Sequence, residues 1–291
     1  MNGCHFECGA PRPLVLIHGF LGAPCDWDPL RLAMTAHVAD ERVSFITIDL
    51  LEVARLIAEG PVGSRQLGLS DLAAQIARQL DADPRTQGGF DVLGYSLGGR
   101  IALEMMAHVS ASEAVSARTA PRFVLVSAHP GLEDSSLRAA RAIADDRIAG
   151  LLKEIGAARE PTRSELARAF LLDWYASEMF APLRARLDFS QVLARRTADL
   201  AHADASLLWA DIVSACSPGR ATSRWRELES RASDSSFIVG SRDARYLAAA
   251  DEARAIGVRT RCIPDAGHAV LLEQPGRLAT EVLHLRECQP I

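Results

Sequence analysis

Short apolar runs alternate with longer stretches of helical period along most of this chain. Leu14–Ile17 is apolar throughout and stops at His18-Gly19. Val43–Ile48, Phe90–Leu93, Phe123–Val126, Phe237–Val239 and Val258–Ile263 are of the same kind: short, β-branched or aromatic, and bounded by Gly, Pro or Asp. Such runs predict buried strands. Between them Trp27–Val38, Leu69–Leu80, Leu97–Val109, Arg245–Ile256 and Leu278–Leu285 carry the period of amphipathic helices. Alternation of this sort puts parallel strands in one sheet with helices on both faces.

The alternation stops between about His129 and Ser223, where Ala, Arg, Leu and Glu dominate and no strand stands out. Leu137–Leu152, Arg163–Tyr175 and Arg184–Arg196 predict helices there. The expected organisation is a core of residues 1–128 and 224–291, with a helical cap at 129–223 inserted between two strands. An insertion at the C-terminal edge of a parallel sheet lies over the place where such sheets bind ligands.

Composition narrows the function classes. Apolar residues make up 48% and charged residues 24%, as in ordinary globular proteins. No apolar run approaches the ~18 residues of a membrane helix, so no membrane partner is expected. The net charge is −5 without a basic tract, so neither is nucleic acid. Of the 32 lysine and arginine residues only Lys153 is lysine, which weakens any argument from a single arginine. The N-terminal text MNGCHFECGAPRP lacks the apolar core of a secretory signal, so a cytoplasmic protein is expected. Cys4, His5 and Cys8 could hint at metal, but no second ligand cluster follows, and free thiols are the better reading of all six cysteines. No metal or cofactor is expected. The oligomeric state is open, and a monomer is compatible with everything here.

The chemistry concentrates at Gly94-Tyr95-Ser96-Leu97-Gly98-Gly99, between the strand FDVL and the helix GGRIALEMM. A tight strand-to-helix turn needs glycines two before and two after its central residue, and it exposes a serine at a helix N-terminus. There the Leu97 N–H and the helix dipole can stabilise negative charge. A serine needs a base. His268, in Pro264-Asp-Ala-Gly-His268 just after the last expected strand, is the best placed of eight histidines. Asp243, ending Phe237-Ile-Val-Gly-Ser-Arg-Asp243, supplies the orienting acid in the chain order Ser, Asp, His. Asp265 reads as a turn residue, and Asp49 is a distant second choice for the acid. A reversed turn after His18-Gly19 would aim the Phe20 N–H at the same oxyanion site. Fold class and motif together point to an α/β-hydrolase fold.

The chain resembles the 2-succinyl-6-hydroxy-2,4-cyclohexadiene-1-carboxylate synthases, α/β-hydrolase-fold lyases of menaquinone biosynthesis. LIHGFLG, GYSLGG and DAGHAV are shared with many hydrolases. More specific are Arg100 in GYSLGGR, AHPGL at Ala128–Leu132 with Arg138, Arg141 and Asp145, DWY at Asp173–Tyr175, Phe180, and the arginines 195 and 196. The resemblance implies that Ser96, His268 and Asp243 remove a ring proton and that pyruvate is expelled. It implies oxyanion N–H groups from Phe20 and Leu97. It implies that Arg100, Arg141 and Arg195, or Arg196 in its place, hold the carboxylates of a small-molecule substrate. Tyr95, Trp174 and Phe180 would line the pocket, and of the adjacent Trp174 and Tyr175 only one, Trp174, is expected to face it. A polycarboxylate calls independently for several guanidinium groups, each able to grip two oxygens. One departure from the family is Asp49-Leu-Leu-Glu-Val-Ala-Arg-Leu-Ile-Ala-Glu-Gly60, where a short helix is expected in place of the usual Pro-Gly turn. The alternative is a Ser-His-Asp hydrolase of esters, thioesters or carbon–carbon bonds. A catalytically silent binding module is the third reading, disfavoured because all three residues are present.

Overall fold

Each of the six apolar runs forms a strand in the computed structural model, which describes residues 12–37, 43–60, 67–111 and 120–287. The strands are β1 (Leu14–Ile17), β2 (Phe45–Ile48), β3 (Asp91–Tyr95), β4 (Phe123–Val126), β5 (Ser235–Gly240) and β6 (Arg259–Ile263). They form one parallel sheet in the order β2-β1-β3-β4-β5-β6. The four inner strands are buried along nearly their whole length because both faces are covered, whereas edge strands β2 and β6 bury only part of theirs. Around the sheet run α1 (Asp28–His37), α2 (Leu50–Ala58), α3 (Leu69–Ala82), α4 (Leu97–Ala111), α11 (Ala244–Ala255), α12 (Val270–Glu273) and α13 (Pro275–Glu287). On one face Trp27, Leu30 and Met34 pack with Leu278, Val282 and Leu285 over Leu14, Leu16 and Leu93. On the other, Leu72, Ile76, Ile101 and Met106 pack over Val15, Ile17 and Val92.

Between β4 and β5 the described chain forms only helices: α5 (Ser135–Ala157), α6 (Thr162–Ala176), α7 (Ala181–Arg184), α8 (Phe189–Leu200), α9 (Ala203–Ala215) and α10 (Trp225–Ser230). One expected helix is corrected. Arg184–Arg196 is not continuous; the chain turns at residues 185–188, where Arg186 grips the Asp188 carboxylate with two 2.8 Å hydrogen bonds. Helix α9 has no counterpart in the sequence reading. The short helix expected after Asp49 is present as α2, and Asp49 caps it by accepting from the N–H groups of Leu51 and Glu52. Cys4, His5, Cys8 and Cys288 lie outside the described residues; Cys25, Cys216 and Cys262 are free thiols. No helix among the described residues is long and apolar enough to cross a membrane.

The two ends of the sheet differ in chemistry. At the N-terminal end Asp91 is buried and meets Arg12, Arg122 and Arg286 at 3.8, 2.7 and 3.5 Å. These arginines neutralise an interior acid and tie both ends of the described chain to β3. The C-terminal end carries Ser96 instead, in a turn that leaves no room for side chains at its glycines. A Cβ at Gly98 would overlap the carbonyls of Ile17 and His18, and one at Gly94 would overlap Gly98. Gly98→Ala is therefore expected to lower the unfolding free energy by about 1–3 kcal/mol, the usual cost of overpacking. Urea titration checks this: the midpoint should fall while the slope stays constant.

Candidate active site

Ser96 stands between the last residue of β3 and the first of α4, with φ +52°. A positive φ at a non-glycine residue is strained and persists only where the surroundings enforce it. Here the Ser96 N–H still donates to Val126 at 2.9 Å, as if the strand continued, while its carbonyl already accepts from Arg100 at 3.1 Å as a helix cap. The side chain is thereby lifted above the sheet. As the first residue of α4, Leu97 has no intrahelical acceptor for its N–H. Phe20 lies across the same pocket, and Gly22 N–H closes a turn onto the Gly19 carbonyl at 3.0 Å, with Leu21 at φ +57°.

Asp243 follows β5 by three residues and stands immediately before α11, and His268 follows β6 by five. These two loops bring a carboxylate and an imidazole to Ser96. His268 Nε2 lies 3.0 Å from Ser96 Oγ, and His268 Nδ1 lies 2.8 Å from Asp243 Oδ2. The arrangement fits an Nδ1–H that donates to the carboxylate, leaving Nε2 to accept from the serine hydroxyl. Both partners are buried, His268 3% and Asp243 1% exposed. The rings of Tyr246, Tyr95 and Phe180 surround the imidazole at 4.6, 5.4 and 5.7 Å between centroids. Such a wall excludes water and strengthens each hydrogen bond inside it.

A pocket opens above Ser96, lined by Phe20, Tyr95, Leu97, Trp174, Tyr175 and Phe180 and by Arg100, Arg141 and Arg196. Two expectations are corrected. Arg195 does not line this pocket; Arg196 does. The register of α8 turns Arg195 outward, where it meets Asp26 Oδ1 at 2.6 Å, while Arg196 is buried against Asp26 Oδ2 at 2.6 Å and the Leu21 carbonyl. Trp174 and Tyr175 also both reach the pocket, because α6 meets it near its C-terminal end and Tyr175 packs inward on Phe180 and Phe189. Trp174 stacks near Phe170 and meets the edge of Phe20 at 5.3 Å.

The pocket arginines are held differently. Arg141 is paired with the buried Asp145 through two contacts, at 2.7 and 2.8 Å. Burial works against the Arg196 charge, but Asp26 more than offsets it, so its pKa is raised. Arg100 bonds only the Cys216 carbonyl and makes no ion pair among the described residues. Burial pulls its pKa below the ordinary value, with Arg141 adding to the effect. A desolvated cation without a counter-charge favours an incoming anion.

His18 is structural. Its Nδ1–H donates to the Gly19 carbonyl at 2.9 Å and its Nε2 accepts from the Leu50 N–H at 3.1 Å; burial lowers its pKa, keeping it neutral. Asp49 lines a separate cavity and is no rival to Asp243. Asp265 sits in the turn before His268, at φ +60° and paired with Arg242. Among the further lining residues that the sequence did not single out are His129, Arg245 and Tyr246. The first lies inside the quoted motif AHPGL, and the other two lie two and three residues after Asp243, so position alone could have flagged them.

Two outcomes follow from these charges. Asp26→Asn leaves the buried Arg196 without its carboxylate and is expected to destabilise the fold by about 3–5 kcal/mol in urea unfolding. His129, whose Nδ1 accepts from the Gly131 N–H, has its pKa lowered to about 4, by burial first and then by Arg245 and Arg100. The unfolded chain, with an ordinary histidine, takes up that proton first, so the stability due to His129 is whole above about pH 6.5 and drains away towards pH 4. Unfolding titrations across that window should show a shallower fall for His129→Gln than for the parent.

Comparison with known proteins agrees with this architecture. Residues 14–281 match the model of the alpha/beta hydrolase family. The chain is 30% identical over 285 residues to Protein PHYLLO, chloroplastic, of Arabidopsis thaliana, covering 94% of this chain but spanning only 15% of that protein. It is 28% identical over 264 residues to the 2-succinyl-6-hydroxy-2,4-cyclohexadiene-1-carboxylate synthase of Klebsiella pneumoniae, covering 90% of this chain and 88% of that one. The synthase of that name from Salmonella heidelberg is 29% identical over 269 residues, with 92% and 90% covered. Among solved structures, MenH from S. aureus superposes with a TM-score of 0.73 at 18% identity, covering 95% of this chain and 93% of that one. An enol-lactonase from Burkholderia xenovorans LB400 superposes at 0.63 and 16%, covering 97% and 93%. At these identities the superpositions speak to the fold alone. With a matching family model over nearly its whole length and a parallel six-stranded sheet to go with it, the chain belongs to the alpha/beta hydrolase family of enzymes.

Proposed function

We propose that this enzyme is a carbon–oxygen lyase that eliminates pyruvate from 2-succinyl-5-enolpyruvyl-6-hydroxy-3-cyclohexene-1-carboxylate, a step of menaquinone biosynthesis. The observation that carries the reading is Arg100: a partly buried guanidinium with no counter-ion among the described residues, four residues after Ser96, in a pocket with Arg141 and Arg196. The substrate bears several carboxylates, and guanidinium groups hold them in a fixed geometry. The names of the curated synthases, similar over most of this chain, point the same way.

Ser96 passes its proton to His268 Nε2, and the imidazolium is stabilised by Asp243. Ser96 Oγ then takes the ring proton at C2, which is acidic because C2 also carries the succinyl carbonyl. The electron pair forms C2=C3, the old C3=C4 pair moves to C4=C5, and the C5–O bond breaks. Enolpyruvate leaves with that pair and takes up a proton to become pyruvate. The enolate oxygen that develops on the succinyl carbonyl meets the N–H groups of Phe20 and Leu97. Tyr95, Trp174 and Phe180 enclose the ring. No cofactor enters the sequence, and no water is consumed, unlike in a hydrolase, where Ser96 would attack a carbonyl and water would release the acyl group.

Incubation with the enolpyruvyl substrate, followed by coupled detection of pyruvate, tests the reading. Pyruvate release is expected, and Ser96→Ala should reduce it by at least about a thousandfold. Arg100→Ala and Arg141→Ala should each lower kcat/KM by about tenfold or more, ~1.4 kcal/mol of transition-state binding. Unchanged kinetics in both arginine variants, with rapid cleavage of p-nitrophenyl esters by the parent, would replace the lyase with a hydrolase.

A further inference from the structure

The loop that carries His268 is held by three consecutive backbone donors. Gly267 N–H donates to Glu273 Oε2, and Ala269 N–H donates to Glu273 Oε1 at 3.2 Å. Between them the His268 N–H donates to the Met179 carbonyl at 3.0 Å, from the helical segment that closes the pocket. One carboxylate thus grips the residues on either side of the imidazole, one oxygen to each. The fit is close: a Cβ at Gly267 would stand 2.7 Å from the Met179 carbonyl oxygen and 3.0 Å from the ring of Pro182.

Glu273 is an unusual choice for this position. Its residue is 6% exposed, and no arginine pairs with its carboxylate among the described residues; Arg186 bonds its backbone carbonyl at 3.0 Å instead. Burial pushes its pKa up to about 6, with the Gly267 and Ala269 N–H groups pulling the other way and Asp243 adding to the rise. Burying a carboxylate that has only amide partners is unfavourable, and an apolar side chain would fill the space with less penalty. What only a carboxylate provides is two equivalent acceptors about 2.2 Å apart, able to fix two N–H groups at once.

We propose that Glu273 is a positioning residue for the base: its two oxygens set the backbone on both sides of His268, so that Nε2 stays in reach of Ser96 while Nδ1 stays on Asp243. The inference rests on His268 acting as the base and not on the identity of the substrate. A displacement of the imidazole by about 1 Å is enough to cost on the order of a hundredfold in rate, so a loop clamp has direct kinetic weight.

The test compares the full-length parent with Glu273→Gln, Glu273→Ala and Glu281→Gln. Glu281 pairs with Arg261 at 3.1 Å on α13, away from the pocket, and serves as control. Glutamine keeps the size but turns an NH2 towards one of the two donors. Two readouts are taken: kcat and KM for pyruvate release, and the low-field proton NMR resonance of the hydrogen bond between His268 Nδ1 and Asp243. Glu273→Gln is expected to lower kcat by about tenfold or more with KM within about twofold, and to shift or broaden that resonance, while circular dichroism stays that of the parent. Glu273→Ala should lose more on both readouts, and Glu281→Gln should match the parent. A Glu273→Gln enzyme with kcat within about twofold of the parent, or one that loses activity while the resonance is unmoved, overturns the proposal. If the parent releases no pyruvate, the functional reading fails on its own, and the resonance of the variants still decides the role of Glu273.

Discussion

The hydrogen-bonded line from Asp243 through His268 to Ser96 is the constraint around which this protein is built. Three residues separated by up to 172 positions must meet within hydrogen-bonding distance, and a sheet whose strands all point one way delivers three loops to one edge. Strands β3, β5 and β6 each end just short of one of the three residues. The tight glycine turn at Ser96, the buried carboxylate of Asp243 and the backbone clamp around His268 are the local devices that convert this topology into a fixed geometry. Each is unfavourable in isolation, whether as strain at positive φ or as buried charge, and the packed sheet beneath supplies the stability that tolerates them.

Electrostatics separates the two ends of the same sheet. Below, three arginines converge on one buried carboxylate, Asp91, away from the pocket. Above, the arginines border the pocket over Ser96. Asp145 answers Arg141, Asp26 is shared between Arg195 and Arg196, and among the described residues the Arg100 guanidinium bonds only a carbonyl. Arg100, Arg141 and Arg196, though not Arg195, line a pocket walled by aromatic rings, where the low dielectric makes an arriving carboxylate worth more than it would be in water. The helices between β4 and β5 supply much of that pocket: Arg141 from α5, Trp174 and Tyr175 from α6, and Arg196 from α8.

Much of this could be read from the residues alone, for definite reasons. Inner strands of a parallel sheet are buried on both faces, so Leu14–Ile17 and Phe123–Val126 stand out as unbroken apolar runs and coincide with β1 and β4. The Ser96 turn is legible because steric limits there admit little but glycine at positions 94 and 98. Other features depend on information that a linear pattern does not carry. The choice between Arg195 and Arg196 hangs on the rotational phase of α8, and the break at residues 185–188 resets that phase. The inward turn of Tyr175 depends on Phe180 and Phe189 arriving from other segments. Glu273 acts through backbone N–H groups, which every residue type offers, so nothing in the text DAGHAVLLE distinguishes a clamp from an ordinary surface glutamate.

The account stands or falls on proton removal from carbon. The most direct measurement is the primary isotope effect on kcat/KM for substrate carrying deuterium at ring C2, with pyruvate formation followed under pre-steady-state conditions. The account predicts a normal primary effect of about twofold or more and no acyl-enzyme burst. Equal rates for the protiated and deuterated substrates, together with a burst that consumes Ser96, would contradict it and assign the serine to nucleophilic attack instead.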